Sequence, residues 1–251
     1  QKFSRDSFNI TEAINELMHE SGVIVIENVY NLNDIKEAKD IVNHFADIQE
    51  QKETHFNAEA VSSDKIKLQQ RIWNLFGKGE VFSKLITNDI IFSLMSKVLG
   101  SEFFCGSYCA SRLLPGSIGQ ELHIDYPYWD FYNSETFPMG LNSSFAQNCQ
   151  ATIPLDICSE QSGATAYIPG SQKKLHYPNE NDDFSNKQQM IANPGDLVFF
   201  KINSKTVSHI GVYIKDDFLP HNLLNAILID KEEYKEHKTP GKSFWVKKPS
   251  S

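Results

Sequence analysis

The stretch FFCGSYCASRLLPGSIGQELHIDY, Phe103–Tyr126, is where the character of this 251-residue chain changes. Its first half, Phe103–Leu114, is rich in aromatic and β-branched or small residues and reads as a strand. Pro115-Gly116 then marks a turn, and Glu121–Tyr126 reads as a second strand. Short runs of the same kind follow at Phe145–Leu155, Ala164–Ile168, Gln188–Ala192, Asp196–Lys201, Thr206–Tyr213 and Leu223–Ile229, separated by Gly, Pro and Asn turns. About eight strands at this spacing predict a barrel or a double-sheet jelly roll.

Upstream of Gly100 the pattern is helical. Ile10, Ile14, Leu17 and Met18 fall at helical spacing, with Gly22 as a stop. Val23–Val29 reads as a strand. Asn33 is placed to cap a helix over 34–51, and a further helix is predicted over 80–99, ending at Gly100. The expected fold is therefore α+β with a mainly β core. One domain spans 1–251: helical support over 1–100, the strand-rich core over 101–230 and an extension over 231–251. No internal repeat or low-complexity linker divides it.

Composition narrows the function. With 40% hydrophobic residues, 12% aromatic and 22% charged, the chain has the material for a buried core and is not of disordered type. A net charge of −8 argues against a general nucleic-acid or anionic-membrane binder. No apolar run approaches the roughly 20 residues a membrane span needs. The four cysteines, Cys105, Cys109, Cys149 and Cys158, lack metal-site spacing and are expected as free thiols in a reducing compartment. The first residues, Gln1-Lys-Phe-Ser, carry neither Met nor a signal pattern, which suggests a trimmed or processed start. A cytoplasmic location is the default expectation.

His123 and Asp125 are two apart, so on a strand both project to one face. With a further isolated histidine they would form a two-His-one-carboxylate triad, which suits non-haem Fe(II) because it leaves metal positions open. The doublet alone also fits a strand-edge His–Asp hydrogen bond. Its setting carries more: Asp156-Ile-Cys-Ser-Glu-Gln-Ser-Gly163-Ala-Thr, Ile168-Pro-Gly-Ser171, Asn193-Pro-Gly-Asp196 and Ser208-His-Ile-Gly211 follow in order, and Gln70-Arg-Ile-Trp-Asn-Leu-Phe-Gly77 precedes it.

In this ordered set, over about residues 65–230, the chain resembles the phytanoyl-CoA dioxygenase-like family of Fe(II)/2-oxoglutarate oxygenases. The resemblance implies a double-stranded β-helix with Fe(II) held by His123, Asp125 and His209. It implies 2-oxoglutarate and O2 as co-substrates and hydrogen abstraction from a small organic molecule. Hydroxylation is favoured, since halogenating relatives generally have a small residue where Asp125 stands; desaturation and oxidative ring closure begin with the same step. One departure follows. The family usually places an Arg about ten residues beyond the distal His to hold the distal carboxylate of 2-oxoglutarate. No Arg follows Arg112 here. Arg112 takes its place, or Lys215 or His221 does, or the co-substrate pocket is altered and binds 2-oxoglutarate weakly or not at all; Gln120 and Thr152 are further co-substrate contacts. A structural salt bridge is the other reading of Arg112. Tyr126, Tyr128 and Trp129 are expected to line a substrate pocket, and Arg71 and Trp73 to meet a substrate carboxylate or phosphate. A jelly-roll metal protein without oxygenase activity, or a divalent-metal hydrolase or isomerase using the same triad, are the competing classes.

Overall fold

A computed structural model describes residues 1–49, 64–120, 123, 146, 148–174, 178, 181–202 and 221–230; for 64, 66, 201, 202 and 221–230 it describes the backbone alone. In chain order the elements are β1 (Lys2–Ser4), α1 (Ile10–His19), β2 (Val23–Glu27), α2 (Leu32–Ile48), β3 (Gln69–Ile72), α3 (Glu80–Ile86), α4 (Asp89–Val98), β4 (Phe103–Leu113), β5 (Asn148–Pro154), β6 (Ala166–Tyr167), β7 (Gln188–Gln189), β8 (Leu197–Ile202) and β9 (His221–Asp230).

The chain is mixed α and β, as expected. Seven strands form one sheet in the order β1-β2-β8-β5-β9-β4-β3, and β6 pairs with β7 in a separate two-stranded sheet. Every pair in the large sheet is antiparallel except β1 with β2. The expected strands at 121–126 and 206–213 fall almost wholly outside the described residues. Two strands, β1 and β3, have no counterpart in the sequence reading. Both are edge strands of only three and four residues, too short for a period of two to mark them.

Two helical boundaries also moved. The cap of α2 is Asn31, whose side-chain oxygen accepts from the Asn33 amide at 2.8 Å, two residues earlier than predicted. The helix expected over 80–99 is two helices. The Asn88 side chain accepts from the Ile90 amide at 2.9 Å and starts α4 afresh, because asparagine satisfies an N-terminal amide better than it extends a helix.

The large sheet is buried on both sides. On its back face Ile24 and Ile26 of β2, Leu197 and Phe199 of β8, and Cys149, Ala151 and Ile153 of β5 pack with Leu17 of α1, Val42 of α2, Phe82 of α3 and Leu94 of α4. On its front face Val23, Val25, Val198, Phe200 and Phe104 form a second cluster with Tyr167 of β6. The Tyr167 ring meets Phe200 edge-on at 6.3 Å. Burying Phe199 and Phe200, which alternate between the two clusters, contributes about 2–3 kcal/mol each.

The turn Asn193-Pro-Gly-Asp196 fixes how β8 enters this sheet. Asp196 is buried; its Oδ1 accepts from the Asn28 amide at 3.0 Å and its Oδ2 from the Asn193 amide at 2.8 Å. The Tyr30 amide donates to the Gly195 carbonyl at 2.9 Å. One carboxylate thus ties the end of β2 to a turn far along the chain. Gly195 has φ +92°, and a Cβ there would stand 3.2 Å from the Tyr30 carbonyl oxygen.

All four cysteines are buried and none forms a disulfide. Burial pushes the Cys105 thiol up to about 12 and the Cys158 thiol higher still, so neither forms thiolate near neutrality. Alkylation of native protein at pH 8 should therefore leave Cys105 and Cys158 unmodified until denaturant is added, which peptide mass spectrometry can read directly. Asp196→Ala should lower the unfolding free energy by about 1–3 kcal/mol, because the Asn28 and Asn193 amides lose a charged, buried acceptor. Urea denaturation of the variant against the parent measures it.

Candidate active-site face

β5 is a central strand with every side chain buried, yet its residues are of two kinds. Cys149, Ala151 and Ile153 go to the helical back face. Asn148, Gln150 and Thr152 go to the front, and they are 0%, 2% and 0% exposed. The period of two separates the sets. Polar side chains at this depth are stable only when hydrogen-bonded, so their presence marks a place where apolar packing was not the requirement.

The register extends this polar lane across neighbouring strands. Thr152 is level with Asn225 of β9 and Cys109 of β4; Gln150 is level with Ile227 and Ser107; Asn148 is level with Ile229 and Phe104. Toward the other end, Ser111 pairs with Leu223 and Leu113 with His221. A bulge at Gly106, between Cys105 and Ser107, lets Phe104 and Ser107 share the front face although they are three residues apart. The edge strand β3 continues the rows, with Arg71 opposite Ser111 and Gln69 opposite Leu113. Arg71 is thus a basic residue on this face. Trp73 follows the strand and is exposed.

Within the lane the Gln150 Nε2 donates to Thr152 Oγ1 at 3.2 Å. Among the described residues neither side-chain polar atom of Asn148 has a hydrogen-bond partner, nor does Gln120 Nε2. Gln120, 6% exposed, follows the turn after β4, in which Ser117 donates its amide to the Leu114 carbonyl at 3.1 Å. His123 stands just beyond it, half-buried. Orphaned amides at Asn148 and Gln120 are what a site built to receive a polar small molecule would leave. The donor set fits a 2-oxo acid.

Arg112 takes the other of its two roles. It lies on the back face, 8% exposed, between β3 and α2. Its Nε donates to Gln70 Oε1 at 2.6 Å, its Nη1 to Asn43 Oδ1 at 3.2 Å, and its Nη2 pairs with Asp47. Adjacent residues of a strand face opposite ways, so Ser111 reaches the front and Arg112 cannot. The structural salt bridge is what the geometry shows, and the anchoring role passes from this residue. The sequence alternatives were of equal weight because only pairing fixes the face.

Asp125, His209, Lys215, Tyr126, Tyr128 and Trp129 lie outside the described residues. His221 opens β9 opposite Leu113. Among the described residues no three His, Cys, Asp or Glu side chains converge on a metal position. Sequence reading missed Asn148 and Gln150. The signal was available: alternate polar residues in a run otherwise fit for a doubly buried strand. The Ile168-Pro-Gly-Ser171 motif serves packing instead. Gly170 donates its amide to the Ser21 carbonyl at 3.1 Å, and Gln172 Nε2 donates to the Glu20 carbonyl at 3.0 Å, closing the end of α1.

The model of the phytanoyl-CoA dioxygenase (PhyH) family matches residues 18–204. No curated protein matches the sequence significantly. Among solved structures, the non-heme alpha ketoglutarate dependent epimerase SnoN from nogalamycin biosynthesis superposes with a TM-score of 0.62 at 15% identity, covering 88% of this chain and 83% of that one. HygX from Streptomyces hygroscopicus, with nickel and 2-oxoglutarate bound, superposes with a TM-score of 0.63 at 15% identity, over 89% and 87% of the two chains. At these identities the likeness is one of fold.

Replacing Arg112 by Met should cost about 1–3 kcal/mol of stability, since Asn43 and Gln70 lose a charged partner at a largely buried site. Thermal unfolding checks this, and ligand binding to the front face should be unaffected.

Proposed function

The chain belongs to the phytanoyl-CoA dioxygenase (PhyH) family, and from that membership we propose that it is an Fe(II)- and 2-oxoglutarate-dependent oxygenase of a small organic molecule. The match over residues 18–204 carries this reading. In it, 1–251 form one oxygenase domain with a double-stranded β-helix core. The large sheet supplies β4, β9, β5 and β8. The opposing sheet is built from β6, β7 and the segments 121–126 and 206–213. The SnoN and HygX folds support that arrangement.

His123, Asp125 and His209 hold the metal. Two imidazoles and one carboxylate would suit Fe(II) and would leave positions open for 2-oxoglutarate. When bound, iron, 2-oxoglutarate and O2 supply the oxidising power that removes a hydrogen atom from the substrate. The chain's own residues bind, orient and shelter. Gln120 and Thr152 donate to the co-substrate. Thr152 Oγ1 accepts from the Gln150 amide, which orients the two side chains on the front face. Lys215 and His221 lie along the following segment and strand, where a basic group would approach the same ligand. Arg71, on the front-face row of Ser111, offers a fixed bidentate donor to a carboxylate or phosphate. Trp73, Tyr126, Tyr128 and Trp129 line the substrate side.

Hydroxylation is the favoured outcome, and the substrate class is a small molecule with an acidic group. An epimerase is among the structural neighbours, so the product mass is the deciding observation: a gain of one oxygen marks hydroxylation, and an unchanged mass marks epimerisation. Anaerobic addition of Fe(II) and then 2-oxoglutarate to metal-free protein should give a visible charge-transfer band. His209→Ala should abolish it. Iron bound without the band would overturn the co-substrate assignment and favour a metal protein of another class.

A further inference from the structure

We draw no further inference here: the strongest candidate, the exposed apolar surface of Ile157 and Ile191 beside the Cys158–Ala192 bridge, carries none because nothing in the structure shows what covers it.

Discussion

β5 must be buried on both faces, and its neighbours are arranged around that constraint. A strand in the middle of a sheet cannot leave its backbone unpaired, so β8 and β9 flank it and complete its ladder. Its back-face side chains are small or branched and apolar, which lets the helices approach closely. Its front-face side chains are an asparagine, a glutamine and a threonine. A purely structural strand would carry apolar residues there at lower free energy. The polar lane is the point at which stability yields to another requirement, and it runs through the rows that also hold Ser111, Cys109 and the backbone of Asn225.

The helical layer holds this strand in place without contributing to its chemistry. Arg112 shows the division. Its position one residue after Ser111 commits it to the back face, where Asp47, Asn43 and Gln70 gather around the guanidinium. A permanently charged group so buried is tolerable only with that set of acceptors. The pairing joins α2 to the β3–β4 edge, and β3 in turn brings Arg71 to the front. Two arginines close in the sheet thus serve opposite faces, and the alternation of β4 and β3 is the reason.

Family membership and these faces bear on different questions. The family match assigns the chain to a group of related enzymes. The faces decide which residues can act together. The sequence carries no arginine after Arg112, and β5 carries uncharged amides at depth; both are properties of this chain's own sequence.

The sequence by itself determined the α+β class, most of the core strands to within a few residues, and the helices around Leu17 and Val42, because period and turn residues are local signals. It also determined the order of motifs that points to the family. Tertiary structure decided what pairing alone can decide. The edge strands β1 and β3 exist because longer strands offer them an open ladder, and the division of α3 from α4 follows from a cap at Asn88. The face of Arg112 depended on the register of β4, including the bulge at Gly106. Asn148 and Gln150 entered the candidate site for the same reason: a polar residue in a strand is ordinary until both faces of that strand are found buried.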